Sequence, residues 1–240
     1  KLRFFKLNYF FRKLYTFKFL SFFFNENFLR EKIFKYIFLS LYWLDYNIDK
    51  NQSRSGSGSN LEKSEHLKKE LKIFFKENDI KKILDIGCGD FKWMSSLLDE
   101  IDFDYYLGID IVDQIVTENI KNYQTTKIKF IKKDVVKDEI NFLEEYDFIL
   151  IRHVFIHLKN ANIEKILNKI KKNNFKYLCV TSDPKVNVNI DLKTEGRFRD
   201  VNMTISPFFL EKCTKIIKVP VHENENYVDL NVYDSSIKLK

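Results

Sequence analysis

The chain has 240 residues, 45% hydrophobic and 31% charged, which suits one large globular domain with an extension and excludes a disordered chain. The net charge of +7 sits at one end: residues 1–60 hold 11 Lys/Arg against 4 Asp/Glu, and the remainder hold 30 of each. That neutral remainder shows no nucleic-acid footprint, and no nucleic-acid partner is expected. The three cysteines form no C-x-x-C pair and no metal-ligand spacing with the four histidines, so no metal is expected and a cytoplasmic setting is.

Residues 1–24 contain nine Phe, six Lys/Arg and no acid. No run there reaches the roughly 18–20 apolar residues of a spanning helix. The segment reads either as a basic aromatic helix on an anionic inner-membrane surface or as a helix packed on its own domain or on a second copy. Residues 27–44 read as a helix with Leu29, Ile33, Ile37, Leu41 and Leu44 along one face, and with Arg30, Glu31, Lys32 and Lys35 on another. A Ser/Gly stretch, Ser53–Ser59, follows, and a helix is expected over 60–78. Residues 1–59 are thus expected to form a helical extension and residues 60–240 the main domain.

The organising stretch is Lys82–Leu98, KILDIGCGDFKWMSSLL: a short apolar strand, a glycine turn and a helix start. Such a unit sets backbone N–H groups and a helix N-terminus at the carboxyl edge of a sheet, where ligands bind. Tyr105–Asp110 is a second strand ending in an acid about 20 residues after the turn, the spacing at which an acid meets a ribose. Lys127–Lys132 is a third strand, followed by Asp134. Asp147–Ile151 is a fourth, followed by Arg152, His153 and, four residues on, His157. Helices are expected over Val112–Asn122 and Asn162–Lys172, and a fifth strand over Tyr177–Thr181, before Asp183. Lys215–Val221 and Tyr227–Tyr233 read as a final pair of strands with no long helix between them. Alternation of this kind predicts an α/β sheet with helices on both faces.

The D-I-G-C-G-D turn and the acids that end the next two strands resemble the class I S-adenosylmethionine (SAM)-dependent methyltransferases over roughly residues 80–182. The turn departs from the fuller D-x-G-x-G-x-G form, because Phe91 stands where another glycine often sits. The Ser/Gly stretch and the later Gly196-Arg197-Phe198-Arg199 segment are similar to a bacterial subgroup associated with surface-glycan gene sets, although Phe198 stands where Trp is usual.

The resemblance implies a Rossmann-like, mostly parallel sheet with an antiparallel C-terminal hairpin, and SAM as cofactor. Asp85, Gly87, Cys88 and Gly89 would line its amino-acid end, with Arg152 in the same set. Asp110 would accept from the ribose hydroxyls, Asp134 would meet the adenine amino group, and Ile111 or Val135 would pack on the ring. For each acid alone, a solvated loop or helix cap is the simpler reading; together at three strand ends they favour the cofactor. His153, then His157 and Asp183, are candidate bases, each with a loop-bracing reading beside it. Arg54, Ser57, Trp93, Arg197 and Arg199 are candidate acceptor contacts, the arginines suiting an anionic group. The expected reaction is O-methylation of a sugar on a surface glycan or its precursor. Methylation of a small metabolite, and a non-catalytic scaffold of the same fold, are the alternatives. A nicotinamide enzyme would call for a third glycine that this turn lacks.

Overall fold

The computed structural model describes residues 26–40, 42, 53, 61–140, 146–220 and 227–236. Residues 1–24, Arg54 and Ser57 lie outside them. The elements are α1 (Glu26–Leu39), α2 (Leu61–Glu77), β1 (Lys82–Ile86), α3 (Lys92–Leu98), β2 (Tyr105–Asp110), α4 (Asp113–Tyr123), β3 (Ile128–Lys132), β4 (Tyr146–Ile151), α5 (Asn160–Lys171), β5 (Phe175–Ser182), β6 (Cys213–Pro220) and β7 (Tyr227–Asp234). They match the expected elements in kind and order. The structure adds a 3-10 turn, Phe155–His157, after β4.

The strands form a seven-stranded sheet in the order β3-β2-β1-β4-β5-β7-β6. β1 to β5 pair in parallel, and β7 runs antiparallel between β5 and β6. The order reverses between β1 and β4, so a crevice opens at their carboxyl ends, as at other switch points of open α/β sheets. The central strands bury both faces with a period of two. Leu84, Ile86, Ile149 and Ile151 enter one apolar layer, with α5 and the Phe34 and Phe38 rings of α1. Ile83, Phe148 and Leu150 enter the other, with α2 and α3. At the opposite edge the Asp147 carboxylate accepts from the backbone N–H groups of Lys81 and Lys82, both at 2.9 Å, and pins the starts of β1 and β4 together.

α1 ends at Leu39 instead of running to residue 44, with Leu41 and Leu44 outside the described residues, and its face also differs from the expected one. Arg30 was assigned to the polar face but is buried, in phase with Ile33, Phe34, Ile37 and Phe38. The stripe Arg30, Ile33, Phe34, Ile37, Phe38 follows the i, i+3, i+4, i+7, i+8 rule. A guanidinium can occupy it because two acids of the main domain meet it there. Two partly exposed ion pairs, Lys35–Asp113 at 3.0 Å and Glu31–Lys132 at 2.7 Å, flank the same helix.

Candidate active site

The turn after β1 is built by a run of left-handed residues. Gly87 has φ 77°, Gly89 φ 58° and Phe91 φ 62°. A side chain at Gly87 would strike Val154 Cγ2, so glycine there lets the turn after β4 close against the turn after β1. Phe91 occupies the place of the absent third glycine and takes a left-handed backbone that glycine adopts more readily. Its ring packs on Tyr106, Tyr123 and Phe130 at centroid distances of 4.9, 5.2 and 4.9 Å. Packing therefore holds a conformation that a β-carbon disfavours.

Other contacts aim the turn. Gly87 and Cys88 donate from their backbone N–H groups to the Ile109 carbonyl at 2.7 and 3.1 Å. The Asp110 carboxylate accepts from Gly89 N–H at 3.1 Å and from Val112 N–H at 2.9 Å. Asn119 of α4 donates to the Gly89 carbonyl at 2.8 Å.

One cavity of about 260 Å³ occupies the crevice. Asp85, Gly87, Cys88, Gly89, Asp110, Ile111, Asp134, Val135 and Arg152 all line it, so the expected cofactor set is brought together. Burial raises the Asp85 carboxyl to about 7, against the hydrogen bond from Tyr106 Oη at 2.9 Å and the charge of Arg152. Burial likewise raises Asp110 to about 6, against the donors of Val112, Gly89 and Ile111. The Arg152 guanidinium lies 4.8 Å from the centre of the Trp93 ring, and burial lowers it to about 10. Trp93 therefore lines the cavity as the platform under Arg152.

His153 and His157 also line the cavity. Burial lowers His153 to about 3, helped by the Arg152 charge, and lowers His157 to about 4. Both are neutral near pH 7. His153 takes φ 56°, and its backbone N–H donates to Thr181 Oγ1 at 2.9 Å. His157 Nδ1 lies 3.0 Å from the Arg197 carbonyl. A carbonyl only accepts, so the proton is on Nδ1 and Nε2 carries the lone pair. The His157 ring sits edgewise to Phe34 and Phe198, with centroids 6.5 and 6.3 Å away.

Three expectations change. Asp183 is not among the residues lining the cavity. Its carboxylate accepts from Lys185 N–H at 2.9 Å and its backbone N–H donates to the Val201 carbonyl at 2.8 Å, so it shapes the turn after β5. Arg199 does not reach out for an anion. Its guanidinium donates to the Ile190 and Leu158 carbonyls, both at 2.9 Å, and to Asn160 Oδ1 at 2.6 Å, clamping the loop to the start of α5. Arg197 is exposed and outside the lining; its carbonyl, not its guanidinium, serves the site by holding His157.

The sequence reading missed Arg30, Phe34 and Val154 in the cavity lining. The helical phase of Arg30 with Ile33, Phe34 and Ile37 was the signal available for the first two. Val154 had none, because only the fold brings it to Gly87. Among the described residues no group of His, Cys, Asp and Glu is placed to hold a metal ion.

Residues 83–173 match the model of a family described as "Methyltransferase domain". That match covers less than half of the chain. The expected SAM-dependent enzyme class on a Rossmann-like sheet stands with that match. Solved structures with the same fold include magnesium protoporphyrin IX methyltransferase (ChlM) from Synechocystis PCC 6803 with bound SAM. It is 11% identical, with 87% of this chain and 96% of that one covered at a TM-score of 0.55. N-methyltransferase NodS from Bradyrhizobium japonicum WM9, in complex with S-adenosylhomocysteine (SAH), is 13% identical, with 78% and 92% covered at a TM-score of 0.55. The PH0226 protein from Pyrococcus horikoshii OT3 is 18% identical, with 79% and 97% covered at a TM-score of 0.53. These likenesses are of fold. A search of curated proteins finds no match.

Proposed function

We propose that the chain moves a methyl group from SAM to an oxygen of a polar acceptor, a sugar hydroxyl on a surface glycan or its precursor. The observation that carries the donor half is the convergence of Asp85, Asp110 and Asp134, from the ends of three adjacent strands, on one cavity closed by the Gly87–Gly89 turn. The residues fit the cofactor. Asp85 suits its ammonium and Arg152 its carboxylate. Asp110, already oriented by two backbone donors, suits a ribose diol. Asp134 and Val135 suit the adenine edge. SAM supplies an electrophilic methyl on a sulfonium.

The rest falls to the protein. Methyl transfer is an in-line displacement, so the acceptor oxygen must be held about 3–3.5 Å from the methyl carbon with water excluded. Neutral His157, whose Nδ1–H donates to the Arg197 carbonyl, would accept at Nε2 from the acceptor hydroxyl and so orient that hydroxyl's lone pair toward the methyl group. A nitrogen titrating at about 4 is a weak base, so alignment contributes more than proton removal. With Arg199 committed to the loop, a neutral hydroxyl suits this mouth better than an anionic group. The glycan class rests on the sequence resemblance. A cytoplasmic location, with peripheral membrane contact or self-association through residues 1–44, belongs to the same proposal. No helix among the described residues is long and apolar enough to cross a membrane.

Calorimetric titration with SAH, with NADH as control, tests the donor half. Asp110→Ala removes a charged acceptor worth roughly 1.5–3 kcal/mol, so affinity should fall about 10- to 100-fold. A folded wild-type chain that binds no adenosyl ligand would leave the scaffold alternative standing instead. Transfer of labelled methyl to glycan precursors against small metabolites tests the acceptor half.

A further inference from the structure

Arg30 belongs to a helix that precedes the main domain, yet it lines the cavity and its guanidinium pairs with two acids of that domain. Nη1 lies 2.7 Å from Asp134 Oδ2 and Nε lies 2.7 Å from Glu195 Oε2, and Arg30 is 2% exposed. Asp134 is the acid of the adenine side. Its other oxygen accepts from Val136 N–H at 3.0 Å and Lys137 N–H at 3.3 Å, so it also shapes the loop after β3. Glu195 does not line the cavity. Its second oxygen accepts from Asn162 Nδ2 and from Lys159 N–H, which anchors it to the start of α5.

Glu195 opens the segment that holds His157. Gly196 N–H donates to the His157 carbonyl at 2.9 Å, the Arg197 carbonyl accepts from His157 Nδ1, and Arg199 N–H donates to the Ile156 carbonyl at 3.2 Å. α1 grips the same segment by shape. Gly196 has φ 81°, and a side chain there would meet Ile33 Cγ2 and Ile37 Cδ1 at 2.6 Å. One cation thus stands between the loop that would take the adenine and the loop that sets the tautomer of the candidate base.

We infer that Arg30 is a positioning residue that couples the donor end of the cavity to the acceptor end. The inference rests on the reading of this cavity as a SAM site. The single guanidinium is shared by two acids, so any change at one acid redistributes its hold on the other. An adenine amino group on Asp134 is felt at Glu195, and through the Gly196–Arg197 backbone at His157. α1 is then a working part of the enzyme rather than an outer brace.

The experiment uses the full chain, SAH as probe and Glu195→Gln as the informative variant, because Glu195 is outside the cavity and Gln keeps its size. Glu195→Gln and Arg30→Met are each expected to raise the SAH dissociation constant about 5- to 20-fold, and the double variant no more than the worse single one. Asp134→Asn is expected to move the His157 ring resonances in the ligand-free chain. A purely structural Arg30 predicts otherwise: Glu195→Gln lowers the melting temperature, leaves SAH affinity within twofold, and Asp134→Asn leaves His157 unmoved. That outcome overturns the inference, as does strict additivity of the two substitutions. If Arg30→Met does not fold, Arg30→Lys takes its place; one ammonium cannot span both acids, so it should show the same weakening. Loss of SAH binding by the wild-type chain would refute the cofactor reading itself, which separates the two failures.

Discussion

Asp85 ends its strand in a place where its charge costs most. Its carboxyl sits near 7, well above the ordinary 3.8, because burial outweighs the help of Tyr106 and Arg152. Near pH 7 about half of it is protonated, and an ammonium needs the ionised form. SAH affinity should therefore rise as pH goes from about 6 to 8, with proton release on binding near pH 7 that calorimetry in buffers of different ionisation enthalpy would detect. Asp85→Asn should weaken binding and flatten that slope; an unchanged slope would move the titration to Asp110. Phe91 poses the opposite problem, a backbone made for glycine and a ring made for the core. Phe91→Gly recovers about 1–2 kcal/mol of left-handed strain and forfeits about 3–5 kcal/mol of buried aromatic packing. The packing wins, and chemical denaturation should show a net loss of roughly 1–4 kcal/mol.

The loop between β5 and β6 shows how an element without regular structure is kept in place. Asn189 and Asn202 stitch two stretches of it together, with Asn189 Nδ2 donating to the Asn202 carbonyl at 2.8 Å and Asn202 N–H donating to Asn189 Oδ1 at 2.9 Å. Arg199 then fastens its middle to Leu158 and Asn160. Removing that guanidinium strands the Leu158 and Ile190 carbonyls, so Arg199→Ala should cost about 1–3 kcal/mol and open residues 186–198 to limited proteolysis. A variant that keeps its melting point and its protease resistance would return Arg199 to the acceptor contacts. The turn after β4 is ordered in the same way, from a distance: Thr181 holds His153 and Arg197 holds His157. Neither histidine owes its position to a regular helix.

The whole molecule is held by apolar layers on both faces of the sheet, and α1 joins one of them. Phe38 is 1% exposed within the layer that holds Ile149, Ile163 and Val180. Phe38→Ala should cost about 3–5 kcal/mol in denaturant unfolding. Lys35→Ala, which breaks a partly exposed pair with Asp113, should cost under about 1 kcal/mol. The contrast in those two numbers decides how α1 stays on: burial holds it, and surface charge does not. Equal costs for the two substitutions would reverse that conclusion.

Local pattern alone determined the strand and helix order, the glycine turn and the three acids at strand ends, because a period of two, a period of 3.6 and a left-handed turn are properties of neighbouring residues. The same pattern placed Arg30 on the charged side of its helix, made Arg199 an acceptor contact and made Asp183 a candidate base. Those three depended on partners 104 and 165 residues away for Arg30, and 41 residues away for Arg199, while Asp183 depended on where the turn after β5 leaves the sheet. A charged side chain goes where its counter-charges and carbonyls are, and only the tertiary structure brings those together. It was the fold, too, that set the protonation of Asp85 and the tautomer of His157, since burial and a carbonyl from another loop decide both.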